Sequence, residues 1–137
     1  MVVAENGSDA LDAPYFDALR NGGLVMQRCK SCRTWHWPAV ARCAECGGWD
    51  QGWDDIPMEG ALYSWIRTHN AFPATESHEL PFVTVLVEIP GTDGHRLMGV
   101  WEGDEDVLSM GLPVKGRLDW VDDRGRPVPC IRWSAKG

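Results

Sequence analysis

A chain of 137 residues, 44% of them apolar, is the size of one ordinary domain or two small ones and holds enough apolar material for a core. Its net charge of -7 argues against a general nucleic-acid binder, because phosphate contacts need an excess of Lys and Arg. No stretch is long and apolar enough to span a bilayer, and Met1 to Ala13 lacks the apolar run of a leader, so a cytoplasmic protein with reduced thiols is expected.

Residues 1–13 are polar, acidic and small, which predicts a disordered tail. Pro14 then opens a short helix, because proline suits a first helical turn, and Asn21-Gly22-Gly23 stops it after Arg20. Tyr15, Phe16 and Leu19 share one side. A helix this short is not stable alone and must pack on the rest of the chain or on a partner.

Leu24 to Arg28 reads as a short strand leading into Cys29-Lys30-Ser31-Cys32. Ten residues later comes Cys43-Ala44-Glu45-Cys46. Two such knuckles supply four thiolates, the closed ligand set of a structural zinc, so Cys29, Cys32, Cys43 and Cys46 are the predicted metal ligands. A disulfide pair is the competing reading, which a reducing compartment disfavours. An iron-bound, rubredoxin-like site is the other, and it would make the protein an electron carrier. His36 is read as a packed or exposed loop histidine, since four sulfurs complete the shell of zinc. Gly47 follows the second knuckle at a place that favours positive φ, and Arg33 stands in the matching place after the first. Trp49 to Asp55 closes the ribbon.

From Pro57 the pattern changes to alternating segments bounded by Gly, Pro and Asp. Gly60 to His69 is one strand, with Leu62, Ser64, Ile66 and Thr68 on one face. Asn70 to Pro81 is a long loop, either plain and flexible or, as in OB barrels, one that helps to shape the binding face. Phe82 to Ile89 is the clearest strand, with Val83, Val85, Val87 and Ile89 alternating inward. Pro90 to Gly94 is a hairpin turn. Arg96 to Trp101 follows, and its Gly99 predicts a bulge or sharp bend. Asp104 to Leu108 is a short helical turn with acids at its start. Leu112 to Val121 is the fourth strand and Pro127 to Trp133 the last, whose prolines predict an edge position. Five strands with a helical element between the third and fourth describe a barrel of OB type. The chain is thus mainly β, with helix and zinc ribbon over 14–56 and an OB-fold domain over 57–137.

No Ser/His/Asp spacing or phosphate loop is present, so no catalytic residue is assigned. Cys130 reads as a small hydrophobe in the last strand. His69, His78 and His95 read as solvated or locally hydrogen-bonded. Most of the eight tryptophans are expected in core packing. Two basic clusters stand out, Arg28, Lys30, Arg33 and Arg42 in the ribbon and Arg124, Arg126, Arg132 and Lys136 near the end. They either balance thiolate charge or contact an anionic partner. An OB barrel with aromatics also raises a single-strand nucleic-acid module as an alternative, against which the acidic charge counts.

One combination of motifs is more specific than any of its parts. An aromatic helix, Tyr15-Phe16-x-x-Leu19-x-x-Gly22, precedes an arginine and the four-cysteine ribbon. Then come Tyr63-Ser64-Trp65, Leu80-Pro81-Phe82-Val83, Val85-Leu86-Val87-Glu88 and Met110-Gly111-Leu112-Pro113-Val114. In order and spacing this resembles the DUF35 family, OB-fold proteins with a rubredoxin-like zinc ribbon, over residues 14–134. Departures lie in the ribbon, with Arg33 for a glycine, Trp37-Pro38-Ala39-Val40 for the usual Pro-Pro-Arg, and Ala44 for a proline. The resemblance implies a structural Zn2+ and a non-catalytic accessory subunit that stabilises an acyl-CoA enzyme or completes its substrate channel. The implied partner is a thiolase-superfamily enzyme (thiolase, aldolase or acyltransferase) or a MaoC-type enoyl-CoA hydratase, in a hetero-oligomer. A CoA ester would be shared with that partner, with Arg28, Arg33, Arg42, Arg124, Arg126 and Arg132 as candidate contacts. Neither nucleic acid nor membrane is implied.

Overall fold

A computed structural model of the chain describes residues 10–70 and 79–137. The expected tail thus lies mostly outside the described residues, as do His78 and the centre of the predicted Asn70–Pro81 loop. The described chain is mainly β. Helix α1 (Ala13–Arg20) leads into a three-stranded antiparallel sheet of β1 (Val25–Cys29), β2 (Trp35–His36) and β3 (Gln51–Asp55), ordered β2-β1-β3. Five further strands close a barrel in the order β4-β5-β6-β8-β7. They are β4 (Glu59–Thr68), β5 (Phe82–Glu88), β6 (Arg96–Trp101), β7 (Pro113–Asp123) and β8 (Arg126–Ala135), with a 3-10 turn at Glu105–Val107 between β6 and β7. No described helix is long and apolar enough to cross a membrane.

The helix is held by its apolar side. Tyr15, Phe16 and Leu19 are buried, and burial of each such side chain stabilises by roughly 1.5–3 kcal/mol. Burial also pushes the Tyr15 hydroxyl pKa well above its ordinary value. Tyr15 packs on Trp37, ring centroids 4.3 Å apart, which ties the helix to the loop between the knuckles. The ribbon and barrel share one core, in which Met26 and Trp35 of the ribbon join Val85, Val87 and Trp133 of the barrel. His95, after the β5–β6 turn, hydrogen-bonds through Nε2 to the carbonyl of Trp35 at 2.9 Å. It was expected to bond locally or to solvent, and instead it bridges the two sheets. Of the tryptophans, Trp35, Trp101 and Trp133 are buried, while Trp49, Trp65 and Trp120 are exposed.

The strand β5 alternates as its sequence predicts, with Val83, Val85 and Val87 inside. Three expectations for the barrel are corrected. The regular alternation expected of β4 is broken by a register shift between Leu62 and Ser64. A bulge inverts the side-chain parity beyond it, so Leu62 is buried while Ile66 is 66% exposed. Gly99, by contrast, makes no bulge, and it pairs with Val85 in unbroken register. It is needed because a Cβ there would lie 2.5 Å from Trp133 Cδ1. Finally, β8 is not an edge strand of the barrel, since it lies between β6 and β7. Its parallel pairing with β6 covers only Arg132 and Trp133, however, so Pro127 and Pro129 fall where no β6 residue faces them.

Candidate metal centre

The ribbon is built around two turns of the same shape. After the first knuckle the Arg33 N–H donates to the Cys29 carbonyl at 2.9 Å, and after the second the Gly47 N–H donates to the Cys43 carbonyl at 2.9 Å. Both closing residues have positive φ, 69° at Arg33 and 76° at Gly47, as the spacing predicts. The four sulfurs of Cys29, Cys32, Cys43 and Cys46 converge within 4.8 Å of one another. Cys29 and Cys46 are 3.6 Å apart, and so are Cys32 and Cys43. A disulfide needs about 2.05 Å. A tetrahedron of 2.3 Å zinc–sulfur bonds has edges of about 3.8 Å, so the donor set and its spacing fit a tetrathiolate metal. Cys29 and Cys43 are buried, and Cys32 and Cys46 face outward.

The protein itself begins the deprotonation that a metal requires. The Thr34 hydroxyl, 3.1 Å from the sulfur, and the Thr34 backbone N–H hold the Cys32 thiol down to about 6. The Cys32 backbone N–H lowers Cys29 as well, against the effect of burial. At Cys46 the Gly48 N–H, 3.4 Å away, lowers the thiol, but the neighbouring cysteine sulfurs and burial outweigh it and push the group up to about 11. Sulfurs this close cannot all ionise without a cation among them.

The ribbon arginines are engaged by the ribbon itself. Arg28 lies over the Trp35 ring at 4.4 Å and donates from Nε to the Arg33 carbonyl at 2.7 Å. Arg28 and Arg33 both meet Asp54, at 3.5 and 3.4 Å. Arg42 donates to the Gly47 carbonyl at 2.9 Å and lies over Trp49. The other predicted cluster is elsewhere, on the β7–β8 hairpin. Arg124 sits at its turn with φ 54° and, like Arg126, is exposed. Arg132 donates to Asp119 at 2.6 Å, and Arg117 pairs with Glu102. These ion pairs hold the Glu102 and Asp119 carboxyls below the usual carboxylate range. Cys130 is half-buried beside them, and burial raises its thiol, the opposite of an activated nucleophile.

Two supporting residues escape a reading of the sequence. Gln27, 3% exposed, makes two hydrogen bonds to the Val40 backbone, from Nε2 to the carbonyl at 2.9 Å and from the Val40 N–H to Oε1 at 2.8 Å. It pins the loop between the knuckles, and its only signal was a lone polar residue in an apolar strand. Thr34 could have been found from its place two residues after Cys32. His36 is outside the sulfur cluster, on β2 and half-buried.

With this geometry in view, family comparisons agree on both halves of the molecule. Residues 16–50 match the model described as ChsH2, rubredoxin-like zinc ribbon domain. Residues 53–119 match that of the ChsH2 C-terminal OB-fold domain. The chain belongs to the ChsH2 (DUF35) family. A solved Ltp2-ChsH2(DUF35) aldolase contains a chain 30% identical to this one, with a TM-score of 0.77, covering 93% of this chain and 95% of that one. A DUF35 protein of unknown function from Sulfolobus solfataricus shares the fold at 18% identity and TM-score 0.58, covering 93% of this chain and 87% of the other. A probable enoyl-CoA hydratase alpha subunit of Thermomonospora curvata is 36% identical over 125 residues, 88% of this chain and 37% of that protein. The chain therefore spans just over a third of the length of that curated relative.

Proposed function

We propose that this chain is an accessory subunit of a hetero-oligomeric acyl-CoA enzyme, with zinc in the four-cysteine site as a structural ion. The observation that carries the reading is the match, across nearly the whole of both chains, to a component of an Ltp2-ChsH2(DUF35) aldolase. The enoyl-CoA hydratase alpha subunit points to the same substrate class, with a MaoC-type hydratase as the other candidate partner. The site chemistry supports a non-catalytic role. Four thiolates close the coordination shell, leaving no position for substrate, and this is the one cluster with metal-ligand geometry among the described residues. Zinc suits a closed thiolate tetrahedron held mainly by packing, and a colourless protein would separate it from the red iron form. Arg124, exposed at the hairpin turn, is a candidate contact for CoA phosphates bound by the partner.

The test is co-expression with a thiolase-superfamily enzyme and with a MaoC-type hydratase, followed by sizing and assay of the partner. Co-elution in a fixed stoichiometry with one of them, with a gain in its activity or solubility, is expected. No co-elution with either, and no effect on either, overturns the proposal.

A further inference from the structure

The β7–β8 ladder is longer than the pairing that joins either strand to its other neighbour. The two strands pair with each other over ten positions, from Val114–Ala135 to Asp123–Arg126. Neighbouring strands cover only the base. Strand β4 faces β7 at Pro113 to Lys115, with one more bond from the Gly116 N–H to the Met58 carbonyl. Strand β6 faces β8 at Arg132 and Trp133, where the Trp133 carbonyl accepts from the Glu102 N–H. Beyond those points no described strand pairs with the hairpin, although Leu118 packs on the core, helix α1 packs against β8 and Gly99 lies against the Ile131 carbonyl.

The two edges differ. Backbone groups of alternate residues point to the same side of a strand. The Trp133 carbonyl points toward β6, so Ile131, Pro129 and Pro127 turn their backbone the same way, the Ile131 carbonyl lying against Gly99. Two of the three lack an N–H, so this edge cannot accept a strand. On β7 the Gly116 N–H points toward β4, so Leu118, Trp120 and Asp122 present theirs to the other edge. Those three stand opposite Ile131, Pro129 and Pro127, as outward-facing pairs must. Here, among the described residues, nothing bonds the carbonyls or the N–H groups of Leu118 and Asp122. The Trp120 N–H is taken by the Asp119 carboxylate at 2.8 Å, which leaves a strand-addition site with a fixed gap.

We propose that the β7 edge from Leu118 to Asp122 docks an extended strand of the partner enzyme, which continues the row that β4 leaves at Met58. The proposal rests on the reading of the chain as an accessory subunit. The edge also states what the strand carries. Trp120 is 44% exposed, so an apolar residue of the incoming strand packs on its ring. Asp122 is exposed, with Asp123 beside it, so a lysine or arginine stands next along that strand. A second copy of this chain fits less well, because antiparallel pairing of two such edges about Trp120 would set Leu118 of one copy, not a cation, opposite Asp122 of the other.

The experiment uses the complex co-purified with the partner enzyme found by co-expression. Hydrogen exchange of the 117–123 amides is measured with and without the enzyme, and affinity is measured for Asp122→Pro and Trp120→Ala. Proline at 122 removes an edge N–H and leaves the β7–β8 ladder intact, which near-UV dichroism of the free variant checks. At least tenfold protection on complex formation and at least tenfold weaker binding by either variant are expected. A stable complex with 117–123 unprotected, bound equally by both variants, overturns the edge and leaves the subunit role standing. Failure to bind any candidate enzyme overturns both. A concentration-dependent homodimer abolished by Asp122→Pro would assign the edge to a second copy and overturn the proposed occupant.

Discussion

Replacing Gly99 by alanine tests how the barrel closes. The residue lies on β6 opposite Val85, and the ring of Trp133 covers it. An added Cβ would sit 2.5 Å from Trp133 Cδ1 and 2.6 Å from the Ile131 carbonyl oxygen. Carbon atoms in contact prefer about 3.5–4.0 Å, so the ring must move by about 1 Å. Trp133 is fully buried, with no solvent to move into. The carbonyl belongs to β8, and withdrawing it opens a seam that rests on two register pairs. Overpacking costs roughly 1–3 kcal/mol, and a clash with backbone belongs at the top of that range, about 3 kcal/mol. That lowers Tm on the order of 10 °C. Gly116→Ala is the internal comparison. Its Cβ would meet Ile131 Cγ2 at 2.7 Å, Met58 Cγ at 2.8 Å and Trp133 Cζ3 at 3.1 Å, all side-chain atoms and one of them on a flexible methionine. Its cost should be about 1–2 kcal/mol. Urea unfolding followed by tryptophan fluorescence gives both values as midpoint shifts at constant slope. If Gly99→Ala lies within about 0.5 kcal/mol of wild type, or costs less than Gly116→Ala, the seam is not formed as described.

Gln27→Leu should cost about 2–3 kcal/mol, because it leaves the Val40 N–H and carbonyl without their partners in a part-buried site; equal urea midpoints would show that the loop is held otherwise. Metal removal by a strong chelator, or Cys29→Ser, should loosen the ribbon, seen as rapid amide exchange over 25–55 while the barrel strands stay protected. A ribbon that stays protected after elemental analysis shows no metal would refute that role. The Glu102 and Asp119 carboxyls are lowered in the folded state, by Arg117 and Arg132 respectively, so their contribution is full above the ordinary carboxylate pKa of about 4 and is lost as pH falls below it. Both groups are near the surface and the effect is small. Between pH 5 and 3 wild type should lose more stability than Asp119→Asn, and parallel losses would remove these pairs from the acid response.

The parts that the sequence predicts well are those fixed by short-range rules. The knuckle spacing needs only a few residues to bring two sulfurs together, and the strict alternation of Phe82 to Ile89 reports one buried face. The same rule fails in β4 because a bulge after Leu62 consumes one residue, which nothing in Leu62-Tyr63-Ser64 announces. It fails at Gly99 because the cause is Trp133, thirty-odd residues away and across a parallel pairing. The prolines of β8 were informative in the correct physical sense. They mark a backbone edge, but that edge belongs to the half of the strand that β6 leaves unpaired, which only the register reveals.

The arginines show why a charge cluster in a sequence is a weak guide to a site. Arg33 occupies a left-handed conformation that costs a non-glycine residue roughly 1–2 kcal/mol, where the second knuckle uses Gly47. Its carbonyl accepts from Arg28 Nε, and both guanidinium groups meet Asp54 on β3. Arg42 does the same work at the second knuckle by bonding the Gly47 carbonyl. Each cation thus holds a turn that aims sulfurs at one point. Their positive charge stands close to a four-thiolate centre whose own charge, with a divalent ion, is net negative. Support of the metal site is thus one role that the structure gives these three side chains. What remains for a partner is the surface that the ribbon and barrel do not use on each other, and the unpaired edge of β7 is part of it.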